Sequence, residues 1–415
     1  MIPAAHATAP TSLRLLAAVF LPFAAGYYFS FLFRNVNSVV FPELTQAFDL
    51  SPGTLGLLTS VYFLSFAGAQ LPLGMLIDRY GPRRVNATML LVAALGGVVF
   101  ALAAGLPALL AGRALIGLGV AVCFMSSLAA FALWFPLERM ATLMGWMLLV
   151  GAIGALSATK PVEMALRVID WRTLFLVLSA FTVCASLAIF LAVPEKPAVA
   201  KAGKLRQQFA VVAGILRNRG FWSIGLTAVF AQAIALGLLG LWAGPWMRDV
   251  AGLDRADLAH HLLFAAGAFG VGAVLCGTLS DGLARRGVAP LVTYLAGCVA
   301  CTIALIPIAL GYGAASLVLW ILYMALSPSG TLAYPLLAAR FPREITGRVM
   351  TTLNLFTFML AFGVQYGIGA IIGLWPVTDG RYAIEGYRAA FGLCWVLQAA
   401  SVAWLAYAER GALRR

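Results

Sequence analysis

Gly74–Val85 reads GMLIDRYGPRRV, and Gly277–Val288 reads GTLSDGLARRGV. Each copy opens on a glycine, places an aspartate four residues later (Asp78, Asp281) and carries a pair of arginines near its end (Arg83 and Arg84, Arg285 and Arg286). The copies lie about half a chain apart, so the sequence repeats once along its length. A plain solvated loop accounts for the arginines but hardly for a glycine and an aspartate held in register with them. The glycine allows close approach of a neighbouring helix. The aspartate can cap or pair across a helix end while the arginines stay at the headgroup layer.

Outward from these loops the chain is apolar: 62% of its residues are hydrophobic and 10% charged, where a soluble domain carries roughly 25% charged residues. A helix crossing a bilayer needs about 20 mostly apolar residues. Twelve stretches qualify, at residues 15–41, 54–77, 86–106, 108–133, 141–164, 172–193, 221–247, 258–280, 289–311, 314–338, 349–374 and 388–408. They are rich in Gly, Ala and Leu without strict alternation, which favours helices over a barrel. The expected fold is an all-α membrane protein of twelve transmembrane helices. Its two six-helix bundles, residues 1–193 and 221–415, are related by pseudo-twofold symmetry and joined by a cytoplasmic linker at 194–220 that begins Pro194, Glu195, Lys196, Pro197.

A net charge of +13 could suggest nucleic acid, but the basic residues are spread over short loops and form no single patch. With a cytoplasmic N-terminus, Arg79, Arg83, Arg84, Arg217, Arg219, Arg285, Arg286 and Arg340 fall inside, and Arg167, Arg172, Arg248, Arg255, Arg381 and Arg388 outside. This bias sets both termini in the cytoplasm of a bacterial inner-membrane protein. The first span is expected to be retained, since no small-residue cleavage site follows a short apolar core. All six cysteines fall in spans, where a thiol is usually a small apolar filler. Cys298 and Cys301 make a CxxC without acidic or histidine neighbours, so neither metal nor cofactor is expected. His260 and His261 read as a solvated helix start. No nucleotide loop or nucleophile with its base is visible, so an enzyme is not expected.

The loop at Gly74, Leu76, Asp78, Arg79, Gly81, Arg83 and Arg84 meets the signature G-x-L-x-D-R-x-G-x-[KR]-[KR], and the chain thereby resembles the major facilitator superfamily over essentially its whole length. Arg113, Gly117 and Gly119 match that superfamily's R-x-x-x-G-x-G, and Trp171 with Arg172 open the sixth helix as in many members. The resemblance implies alternating access around a midplane site, with Asp78 and its loop in the latch of the outward-open state. The fifth helix reads GAIGALSATKPVE, keeping Gly151 and Gly154 but not the G-x-x-x-G-P-x-x-G-G of drug exporters in the superfamily.

Three cations lie inside spans: Arg34, Arg113 and Lys160. Each costs roughly 2.5 to 3.5 kcal/mol on insertion scales and so needs a partner or a function. Ser30, Arg34, Asn37, Ser38 and Phe41 recur at helical spacing, putting a polar stripe on one face. A guanidinium there offers a planar fork to a carboxylate or phosphate. FRNVNSVVFPEL also resembles the first helix of organic-anion and organophosphate transporters, in which an arginine eight residues before a proline binds the anion, as Arg34 stands to Pro42. The second arginine of organophosphate exchangers is replaced here by Gly237, eight residues before Pro245, which moves the expectation towards a carboxylate.

Lys160 and Glu163 can form an i, i+3 ion pair, or serve as second anion ligand and proton-responsive partner. Arg113 suits structure or coupling better than ligation. The second half offers Gln232, Trp242, Tyr334, Asn354 and Gln365 for the other wall of the cavity. The expected substrate-binding set is Arg34, Asn37, Ser38, Lys160, Gln232, Trp242, Tyr334, Asn354 and Gln365. Gly74, Asp78, Arg79, Arg83, Arg113, Glu163 and Asp281 are expected to couple and gate. The expected partners are the bilayer, a small anion and a coupling proton, for a monomeric uptake carrier. A drug or metabolite exporter and a non-transporting sensor are the rival readings.

Overall fold

The computed structural model describes residues 12–135, 139–195 and 205–413, and its regular elements are helices. The first helix runs Leu16–Asn35 and resumes as Asn37–Phe48. The second is Pro52–Tyr80, the third Pro82–Ala101, the fourth Leu106–Trp134, the fifth Leu143–Ala165 and the sixth Trp171–Ala192. The seventh to twelfth are Arg219–Asp249, Arg255–Arg285, Pro290–Ala309, Ser316–Ala338, Ile345–Ile372 and Ile384–Ala408. Eleven of the twelve are long and apolar enough to cross a bilayer. The second has 29 residues, about 44 Å of helix, ample for a hydrocarbon core of about 30 Å. Leu64, Phe181, Leu187, Phe264, Val271 and Leu275 stand exposed along these helices, as side chains solvated by lipid do.

Residues 196–204 of the linker lie outside the described residues. A helix at Leu205–Arg217 follows where the sequence suggested only a polar connector, and its Val212 and Ile215 are buried beside the eleventh helix.

Local chemistry sets the helix ends. The Ser51 hydroxyl accepts from Thr54 N at 3.2 Å ahead of Pro52, and Asp170 and Asp254 cap the sixth and eighth helices in the same way. Gly81 adopts φ +81°, which turns the chain between the second and third helices, with Pro82 opening the next. That conformation is why the loop signature needs its central glycine. Gly117 and Gly119 are packing positions. A Cβ on Gly117 would sit 2.4 Å from the Tyr62 carbonyl oxygen, and one on Gly119 would sit 2.3 Å from Ala93 N.

Contacts between the first six helices and the last six gather at one end. Gly53 and Gly56 lie against Gly369, Ala370 and Gln365, Gly244 against the Ser38 carbonyl, and Leu156 against Gly267, while Glu43 pairs with Arg255. A Cβ on Gly369 would come within 2.3 Å of the Pro52 carbonyl oxygen and 2.8 Å of the Trp242 ring. We therefore expect Gly369→Val to pry this end open. Spin labels at Asp49 and Val377 should read a longer distance in the variant, and an unchanged distance refutes the seam.

At the opposite end Gly74 and Gly277 behave differently from the sequence expectation. No atom lies within 4 Å of a Cβ built on either, so neither makes the close helix approach expected of it. The second and eighth helices are not pressed against neighbours there.

Arg340 ties this opposite end together within the second half. It donates to both Glu409 carboxylate oxygens at 2.7 Å and to the Ser223 hydroxyl at 3.2 Å. These bonds hold the Glu409 carboxyl below the usual carboxylate range. A carboxyl lowered on folding stabilises the fold above its unfolded pKa of about 4.3 and gives up that contribution as pH falls through the folded value. Glu409→Gln should therefore cost on the order of 1 kcal/mol at neutral pH. The gap to the parent protein should narrow in acid, and thermal unfolding across pH reads both effects.

Candidate functional site

The first helix breaks at Val36, one residue after the Leu16–Asn35 segment ends. Pro42, without an N–H, keeps the Ser38 carbonyl out of the helical ladder, and Gly244 of the seventh helix lies against that oxygen. The break itself is held by Arg113 of the fourth helix, which is 1% exposed. Its Nη1 donates to the Phe33 carbonyl at 2.7 Å and its Nη2 to that of Arg34 at 3.4 Å. Arg113 thus serves as a clamp on backbone carbonyls.

With its carbonyl so fixed, Arg34 points its side chain among rings. Its Cζ lies 4.6 Å from the centroid of Phe31, 5.4 Å from Phe66, 5.4 Å from Phe358 and 6.0 Å from Tyr62. Phe358 belongs to the eleventh helix, so both halves contribute to the enclosure. Arg34 is 8% exposed, its Nε is buried without a partner, and no carboxylate pairs with it among the described residues. Tyr62 meets a second cation, the Arg113 Cζ at 4.9 Å.

Unsatisfied polar atoms collect on the same elements. Asn37, one turn beyond Arg34, is fully buried with neither amide atom hydrogen-bonded. Gln365 keeps a buried unpartnered Oε1, with its Nε2 beside Gly240, and Gln232 keeps a buried unpartnered Nε2. The Tyr334 hydroxyl donates to Asn354 Oδ1 and reaches Gln232 Oε1 at 3.4 Å, joining the seventh, tenth and eleventh helices. Asn354 stands one turn from Phe358 on the eleventh helix. The seventh helix widens to a π-turn at Leu238–Trp242, where it packs on Asn37–Phe48, a distortion common at functional sites.

Three residues expected in the binding set have their polar groups committed elsewhere. The Ser38 hydroxyl donates to the Asn35 carbonyl at 2.7 Å. The Trp242 indole is fully buried and donates to the Gln365 carbonyl at 2.8 Å. Lys160 Nζ is 2.9 Å from Glu163 Oε2, and Arg167 Nε is 2.7 Å from Oε1, so a buried carboxylate holds two cations. Arg83 donates to the Phe190 carbonyl and, with Arg84, pairs with Glu195. Arg79 lies over Tyr80, and Asp78 and Asp281 sit near the ends of the second and eighth helices.

Sequence reasoning missed the ring enclosure of Tyr62, Phe66 and Phe358, although YFLSF at 62–66 places two of its aromatics a turn apart. It also missed Asp249. This carboxylate is fully buried, bound by Arg248 through both oxygens and by the Tyr387 hydroxyl at 2.8 Å. Arg248 in turn lies over Phe41 of the first half at 5.1 Å. No cluster of metal-ligating side chains exists among the described residues.

The model of the Major Facilitator Superfamily matches residues 23–366, and the chain belongs to that family. It is 24% identical over 274 residues to a probable sulfoacetate transporter of Cupriavidus necator, covering 63% of this chain and 64% of that one. It is likewise 24% identical to the hexuronate transporter of Escherichia coli K12, over 59% of each chain, and 24% identical to that organism's probable L-galactonate transporter, over 83% and 80%. The alignments thus span about three fifths of the length of the first two relatives. Among solved structures, a bacterial homolog of the human lysosomal transporter Spinster superposes with a TM-score of 0.77 at 20% identity, over 96% of this chain and 98% of that one.

Proposed function

We propose that the protein carries a small organic anion, a carboxylate, across a bacterial inner membrane by alternating access, with Arg34 as the anion ligand. One observation carries this reading: a guanidinium enclosed by four rings from two halves, without a protein counter-ion. A buried cation left unpaired is costly, and an arriving carboxylate supplies its missing partner through two parallel hydrogen bonds. Asn37, Gln232, Tyr334, Asn354 and Gln365 hold the neutral part of the passenger through donors and acceptors that the protein leaves free. Relatives named for hexuronate, L-galactonate and sulfoacetate transport support an acid with further polar groups.

The halves that rock are residues 1–193 and 221–415, with 194–220 between them. Both termini lie in the cytoplasm, which makes the closed seam the outer one and the described state inward-facing. The latch at Asp78 then waits for the opposite state. Uptake is the favoured direction.

A thermal-stabilisation screen of the purified protein tests the reading, since a ligand favouring the folded state raises the unfolding temperature by mass action. Hexuronates, L-galactonate and sulfoacetate should raise it, and neutral sugars and inorganic phosphate should not. Stabilisation by hydrophobic cations or drugs alone would favour an exporter.

A further inference from the structure

What the carrier does when empty follows from where its carboxylates are, and rests on the anion-carrier reading above. The chain has 15 acidic residues. Those deepest in the protein are spoken for: Glu163 by Lys160 and Arg167, Asp249 by Arg248 and Tyr387, Glu43 by Arg255. The other described acids lie near helix ends or in loops. Around Arg34 stand Phe31, Tyr62, Phe66 and Phe358, and beyond Tyr62 a second cation, Arg113.

To turn its site from one side to the other, the carrier passes through a state closed at both ends, where Arg34 loses its remaining contact with water. Ring faces offset only part of that loss. With a carboxylate bound the charge is paired; empty, it is buried alone. We propose that the protein is an exchanger. Its halves interchange when Arg34 holds an anion and stall when it does not, so each anion entering is matched by one leaving. No side-chain carboxylate carries a proton through the cycle.

Proteoliposomes decide this with radiolabelled L-galactonate outside and one of two interiors: buffer, or a mixture of unlabelled L-galactonate, D-glucuronate and sulfoacetate. Loaded vesicles should accumulate label, and influx into buffer-filled vesicles should run at least about a hundredfold slower, with or without an imposed pH gradient, as an uncompensated buried charge requires. Equal influx into both overturns exchange while leaving the anion reading intact. No influx into either, with no thermal stabilisation by the same acids, overturns the anion reading and exchange with it. Asn37→Asp places a carboxylate one helical turn from Arg34 and should raise influx into buffer-filled vesicles relative to the parent. If this variant is folded and still stabilised by the acids, yet exchanges as strictly as the parent, the counter-ion argument is wrong.

Discussion

Arg34→Gln is expected to abolish anion transport while leaving a folded protein. The substitution removes the one mid-membrane charge without a counter-ion and keeps a polar side chain of similar reach among Phe31, Tyr62, Phe66 and Phe358. A charge-assisted hydrogen bond contributes about 1.5 to 3 kcal/mol, so losing a two-bonded fork in a water-poor site weakens binding at least about a hundredfold. Arg34→Lys should recover part of this, because an ammonium keeps the charge but not the planar fork. Uptake assays and the thermal shift caused by the acids read both variants. Because an unpaired cation is removed, the apo protein should unfold at the same or a higher temperature. A variant that transports anions as well as the parent would end the assignment. One that loses only its stability would make Arg34 a structural residue.

Arg113→Leu should do the opposite and strike at the fold. Arg113 supplies donors to the Phe33 and Arg34 carbonyls released at the helix break, 80 residues away in sequence for the first of these bonds. Each buried carbonyl left without a donor costs about 1 to 3 kcal/mol, and the shorter side chain leaves a void beside Tyr62. The expected loss is about 3 to 5 kcal/mol, seen as a lower unfolding temperature and a lower yield of monodisperse protein. Arg113→Lys keeps one donor and should fall between. If Arg113→Leu unfolds like the parent but fails to bind acids, the residue belongs to the ligand site and the clamp is incidental.

The helical architecture was legible because lipid leaves few solutions: apolar runs of spanning length, a repeated loop and biased arginines each speak for it alone. The ion pair of Lys160 with Glu163 was readable from its i, i+3 spacing, whereas the share of Arg167 was not, since that residue was assigned to the loop beyond. Asp249 was passed over because the seventh span was ended two residues early. The break at Val36 has neither glycine nor proline at the point of fracture; an arginine from another helix stabilises it, and no local rule announces such a partner. Aromatic residues in a membrane helix look like lipid-facing filler until their neighbours are known, which hid the enclosure of Arg34. Gly74 misled for another reason. Close approach of a helix there belongs to a state other than this one, and a sequence encodes every state of a carrier at once.

The seam of Gly53, Gly56 and Gly369 brings backbone against backbone with few side chains interlocked between. Smooth faces can part without any rotamer having to turn, and what they lose on separating is dispersion and little else. Such a gate is cheap to open and cheap to shut, so the pace of the cycle is left to whatever sits further down the shaft.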